Sequence, residues 1–175
     1  MIEVPDEILL YLSEDAIALA SKDGNLEIVK YLHSVGAECT DDAMDFASEN
    51  GHLEVVKYLY SVVGAECSNE AMDLASYNGH LEVVRYLHSV VGAWCTVLAM
   101  DWAAKNGHLD VLKYLHFTVG AECSVAATVW ATEGGHLEVL KFLYSVGKLD
   151  TQMAMEELQI SVRIDIIEFV ESIQN

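Results

Sequence analysis

Two sets of side chains recur at spacings that invite chemistry. Cys39, Cys67, Cys95 and Cys123 follow one another at 28-residue intervals, and so do His52, His80, His108 and His136. The thiols raise a disulfide or a zinc site, and the imidazoles raise metal binding or proton transfer. Both readings fail on geometry and on number. Helices related by a fixed period stack about 8–10 Å apart, whereas a disulfide needs Cα atoms within about 7 Å and zinc needs ligands converging to about 2.3 Å. A catalytic group is needed once, while a residue present in every period answers a demand that every period has. The cysteines therefore read as buried, reduced thiols acting as small hydrophobes, in a reducing compartment. The histidines read as groups that meet free backbone where a helix begins. His33, His88 and His116 share a position with Tyr60 and Tyr144, which predicts a partly buried aromatic slot. No phosphate loop, no His-Glu-x-x-His and no unique nucleophile beside a base is present. The expectation is no enzymatic activity, no metal and no cofactor.

The elements that carry these residues repeat. Asn50-Gly51-His52-Leu53-Glu54-Val55-Val56-Lys57-Tyr58-Leu59 has close copies, and its glycine returns at Gly24, Gly51, Gly79, Gly107 and Gly135, in steps of 27, 28, 28 and 28. Val162 stands 27 residues further on in a degenerate sixth copy. A fixed period of this size marks a solenoid, whose units bury their apolar faces only against neighbours. Each unit reads as two antiparallel helices. Ser13, Thr40, Ser68, Thr96, Ser124 and Thr151 each precede an alanine by three residues, as helix caps. Asp23, Asn50, Asn78, Asn106 or Gly134 is predicted to end that helix in a left-handed backbone. The second helix carries Leu53, Val56 and Leu59 on one side, with Glu54 and Lys57 opposite. That acid–base pair returns as Glu27/Lys30, Glu82/Arg85, Asp110/Lys113 and Glu138/Lys141. Gly36, Gly64, Gly92, Gly120 and Gly147 close it.

The expected organisation is one domain over 1–175: a capping helix in 1–12, repeats in 13–161, and a carboxyl-terminal capping helix in 162–175. Of 175 residues, 53% are apolar, enough for a continuous core. No apolar run reaches membrane-spanning length, and Met1 to Glu7 carries acids where a signal peptide carries bases. A soluble cytoplasmic protein is expected, with no membrane partner. The net charge of −19 repels phosphate backbones, which argues against nucleic acid. The acidity is uneven, with 17 acids against 4 bases through Ala93 and 11 against 5 after it.

Gly-His-Leu-Glu-Val-Val-Lys-Tyr-Leu, the following Gly-Ala, and the Ala-Met-Asp-x-Ala-Ser helix resemble the ankyrin repeat over nearly the whole chain. The combination of Tyr-Leu-His, Gly-Ala-Glu-Cys and Ala-Met-Asp is similar to repeats common in amoebae, oomycetes and the large DNA viruses of protists, for which the compartment would be a host cytosol. The resemblance implies an all-α, ankyrin-type helical solenoid that binds protein partners. The family's usual period is 33, and the residues missing here fall where its β-hairpin fingers project. Fingers are therefore expected to be short or absent. Val4 to Leu12 also faintly resembles the first helix of an F-box, which would imply an adaptor of a ubiquitin ligase, but the repeats follow too soon for the remaining F-box helices.

Function is then sought where the repeats differ, because structural demand is the same in each. One first-helix position carries Phe46, Leu74, Trp102 and Trp130; another carries Glu49, Tyr77, Lys105 and Glu133. The loop before that helix reads Asp41-Asp42, then Asn69-Glu70, then Val97-Leu98, then Val125-Ala126. Trp94 replaces the Glu38, Glu66 and Glu122 of sister repeats. These differences predict a protein-binding surface on the concave face and loops, with Trp94, Val97, Leu98, Val125, Trp102 and Trp130 as apolar anchor and Tyr77 and Lys105 as further contacts. Asp41, Asp42, Asp45 and Glu49 would steer a basic partner. Trp102 and Trp130 are read equally well as groove-filling core. The other reading is a self-associating structural element, although a monomer is expected.

Overall fold

The computed structural model describes residues 15–158 and 163–174, so the expected amino-terminal cap in 1–12, Ser13 and Val162 lie outside the described residues. All described regular structure is helical, with no strand among the described residues, in keeping with missing fingers. The helices are α1 (Ala16–Lys22), α2 (Leu26–Ser34), α3 (Asp42–Glu49), α4 (Leu53–Tyr58), α5 (Asn69–Tyr77), α6 (Leu81–Tyr86), α7 (Val97–Lys105), α8 (Leu109–Tyr114), α9 (Ala126–Gly134), α10 (Leu137–Ser145), α11 (Thr151–Leu158) and α12 (Ile164–Gln174). Two compact units divide the chain: residues 1–75 with 82–94, and residues 76–81 with 95–175.

In the first unit α1 packs on α2 and α3, and α4 packs on α2 and α3. In the second, α9 lies between α7 and α11, while α8 and α10 pair along the second-helix layer. The first helices approach closely because alanines one turn apart, such as Ala43 and Ala47 or Ala99 and Ala103, are wholly buried. Met44 and Leu59 fill the first unit's interior; Met100, Leu112, Leu115, Leu140 and Leu143 fill the second's. On the outer side of the second helices the expected ion pairs form at Glu27–Lys30, Glu54–Lys57, Glu82–Arg85 and Glu138–Lys141. All are exposed, and each contributes only about 0.3–0.5 kcal/mol. The Asp110–Lys113 pair does not form. The shorter Asp110 carboxylate instead accepts the Val111 backbone N–H at 2.9 Å.

The helix ends correct three expectations. First, Asp23, Asn50 and Asn106 keep negative φ, and the following glycine alone takes the left-handed turn, as at Gly51 (φ 75°). Second, the hydroxyl caps hold at Ser68, Thr96 and Ser124, which accept from Glu70, Leu98 and Ala126 N–H. They fail at Thr40, whose buried hydroxyl has no partner among the described residues, and at Thr151, where Asp150 caps α11 by accepting from Met153 N–H. Third, the second helices of the 28-residue repeats widen into π-turns at Leu59–Val63, Leu87–Val91 and Leu115–Val119, which the periodicity does not predict.

Candidate functional site

Two of the repeated histidines, His52 and His136, are latches between successive repeats. His52 Nε2–H donates to the Lys22 carbonyl at 3.0 Å, and His136 Nε2–H to the Lys105 carbonyl at 2.9 Å. The backbone they meet belongs to the preceding repeat, not to the helix each one starts. The ring also occupies the place where a Cβ on the preceding repeat's glycine would sit. His52 Nδ1 lies 2.4 Å from such an atom on Gly24, and His136 Nδ1 lies 2.6 Å from one on Gly107. That glycine is thus required twice, for its positive φ and for the ring against it. Arg163 takes the histidine's position in the last repeat and does the same work, its Nη2 donating to the Glu133 carbonyl at 3.0 Å. The aromatic slot is equally structural. His33 meets Tyr58 edge-on, with its Nδ1 3.0 Å from the phenol oxygen; Tyr60 meets Tyr86, His116 meets Phe142, and Tyr144 meets Phe169.

Asp45 does not face solvent, contrary to its reading as a steering charge. It is 8% exposed, and both of its carboxylate oxygens accept from the Ser68 hydroxyl at 2.8 Å. Burial raises its pKa, opposed by the Ser68 bond and helped by the charges of Glu70, Asp42 and Asp41. Asp101 repeats the arrangement in the second unit, accepting from Ser124 N–H at 2.8 Å and Ser124 Oγ–H at 2.6 Å. Asp73 is buried as well. Asp45 and Asp101 each tie one repeat to the next cap.

None of the four cysteines forms a disulfide, and they are half-buried where burial was expected. They sit in the short loops, where Cys67 Sγ–H points at the Ser68 carbonyl at 3.3 Å. Burial, with Asp45 nearby, pushes the Cys67 thiol up to about 11; burial also raises Cys39 and Cys123. Such thiols are poor nucleophiles at neutral pH.

The positions that vary between repeats fall into two settings. In the second unit Tyr77 meets Trp102 edge-on with ring centroids 5.7 Å apart, and the Lys105 ammonium lies 5.1 Å from the Trp130 ring centre. Lys22 over Phe46 repeats that cation–π contact in the first unit. Both tryptophans are half-buried, so each lends one surface to packing and keeps another in solvent. Val97, Leu98 and Val125 are exposed in the same unit. In the first unit Asp41 and Asp42 are exposed, and Glu49 is intermediate. Trp94 is 79% exposed, beside a groove of about 390 Å³ lined also by Tyr60, Gly64, Glu66, Cys67 and Ala93. An exposed apolar residue absent from the sequence reading is Phe117, 71% exposed. Its signal was present, because Ser34, Ser61, Ser89 and Ser145 hold that position elsewhere and Phe117 alone is apolar.

Comparison with known proteins gives a family match and distant likenesses among solved structures. Residues 17–98 and 47–127 match the family described as "Ankyrin repeats (3 copies)", together more than half of the chain. A chain of the solved structure "Crystal Structure of the Yeast Ribosomal Protein Rps3 in Complex with its Chaperone Yar1" is 23% identical, over 78% of this chain and 94% of that one. Its TM-score of 0.33 is too low to carry an argument. No curated protein matches. Among the described residues no helix is long and apolar enough to cross a membrane. Repeat period, latching residues and family match agree, and the chain belongs to the ankyrin-repeat family.

Proposed function

We propose that this ankyrin-repeat interaction module holds a protein partner through its first-helix face and interrepeat loops, with Trp94 as an anchor. Ankyrin repeats are protein–protein interaction modules, which sets the function class. The observation that carries the finer reading is the exposure of Trp94 at a position where sister repeats place glutamate. An indole left 79% in water gains nothing for folding there, and aromatic residues of this kind dominate interface energetics. Val97, Leu98, Val125 and the free surfaces of Trp102 and Trp130 supply further apolar contact. Asp41, Asp42 and Glu49 favour a basic partner and raise its association rate. The partner is met in a cytosolic setting, by a monomer, without enzymatic chemistry.

Capture from a cell lysate tests this, with the wild type compared against Trp94→Glu and against Lys57→Ala on the outer charge row. Proteins retained by the wild type and by Lys57→Ala should be lost from Trp94→Glu. Equal recovery on all three removes Trp94 from the binding surface.

A further inference from the structure

We propose that the groove beside Trp94 takes an arginine side chain of the partner, the guanidinium lying on the indole and pairing with Glu66; this rests on the interaction-module reading above. The second unit shows how this kind of loop groove satisfies an acid. There Glu122, in Gly120-Ala121-Glu122-Cys123, forms an ion pair with Lys148 of the following loop. That pair holds the Glu122 carboxyl below its ordinary value, chiefly through the Lys148 hydrogen bond. Glu66 occupies the corresponding place in Gly64-Ala65-Glu66-Cys67, two periods earlier. In the loop that follows it, Ala93 stands where the second unit has Lys148, and Trp94 stands where it has Leu149.

Glu66 is exposed and pairs with no cation among the described residues. The first unit therefore has the acid of this arrangement, lacks its internal cation, and has gained an aromatic face in the same groove. Tyr60 lines that groove too, fixed by its hydroxyl donating to the Val90 carbonyl at 3.4 Å and by its edge contact with Tyr86. A carboxylate beside an indole matches arginine better than lysine. The planar guanidinium can stack on the ring while its N–H groups reach a carboxylate in a fork, whereas an ammonium is a compact, strongly hydrated point charge. The surrounding unit favours a cationic segment, since most of the chain's net charge of −19 lies in the residues through Ala93.

The test uses the full chain labelled with ¹⁵N and a capped pentapeptide, Gly-Gly-Arg-Gly-Gly, beside its lysine and glutamate analogues. The arginine peptide should shift the Trp94 indole N–H and the amides of Gly64, Glu66 and Gly92 saturably. The lysine peptide should do so more weakly and the glutamate peptide not at all. Glu66→Gln should weaken binding at least about tenfold. Ala93→Lys should do the same by supplying the internal cation that Lys148 supplies to Glu122. Both positions lie in short loops, and Glu66→Gln is isosteric, so it decides the matter should Ala93→Lys disturb folding. Equal shifts from the arginine and glutamate peptides, no saturable shift, or wild-type affinity in Glu66→Gln overturns the proposal. If Trp94 still proves necessary for partner capture while the arginine peptide is inert, only the arginine assignment falls. If Trp94→Glu captures the same proteins as wild type, the interaction reading beneath it falls.

Discussion

At the residue scale, the buried aspartates Asp45 and Asp101 prove to be connectors between repeats, and their contribution can be measured. Asp101 is 2% exposed and accepts two hydrogen bonds from Ser124. Asp101→Ala leaves the Ser124 backbone N–H without its acceptor, and should lower the unfolding free energy by about 1–3 kcal/mol in a denaturant titration. An unchanged midpoint would show that solvent replaces the carboxylate freely. Asp45 gives a pH signature. Its folded pKa lies above the ordinary 3.8, so the folded state holds that proton more tightly than the unfolded chain does. Its contribution is therefore most favourable below the unfolded value, and declines as pH rises from the unfolded value through the folded one. Asp45→Asn should flatten that part of the stability–pH curve, read from thermal midpoints between about pH 3.5 and 6; a curve parallel to wild type would contradict the assigned direction. Neither role was legible beforehand. Asp45 and Asp73 look like surface charge in the sequence, and only the packing of one repeat on the next reveals that they are buried.

At the element scale, the π-turns answer a difference of one residue. In α2, Ala37 N–H reaches the Leu32 carbonyl across five positions, at 3.0 Å. In the next repeat Ala65 N–H reaches the Leu59 carbonyl across six, at 3.0 Å, and Gly64 keeps the same left-handed turn. The steps of 27 and 28 residues are thus the same closure made without and with one extra residue, at Val62, Val90 and Thr118, the surplus absorbed as a wide turn. Deleting Val62, which is 57% exposed, should convert Leu59–Val63 into ordinary α-helix of the α2 type. Circular dichroism should still show a cooperative melt, within a few degrees of wild type, whereas loss of cooperative unfolding would mean that the π-turn itself is required. Helix number and order were readable because cap, apolar stripe and glycine recur in phase. The π-turns were not, since a window tuned to 3.6 residues per turn does not register one added residue. The caps were readable at Ser68, Thr96 and Ser124 but not at α11, where Asp150 competes with Thr151 one position away.

At the scale of the whole molecule, a solenoid whose repeats contact only their neighbours should have modular stability. Removing residues 68–95, one full period from cap to cap, should leave a shorter chain that still melts cooperatively, while an equal deletion out of phase should not fold. Equal damage from both would contradict modularity. The proposed interaction surface is drawn from residues that differ between equivalent repeats, which are free of the shared structural demand. That signal found Trp94, and it also marks Phe117. It also pointed to Asp45, though the acid is present in three repeats and serves the stack; a comparison restricted to positions that truly differ would have left it out. The central claim is that Trp94 is spent on binding and not on folding. The direct measurement is the thermal midpoint of Trp94→Glu beside its affinity for the captured partner. The midpoint should stay within a few degrees of wild type or rise, while affinity falls roughly thirtyfold or more, the loss of about 2 kcal/mol expected of an aromatic hot spot. A midpoint lowered by many degrees, or an affinity equal to wild type, would contradict the claim.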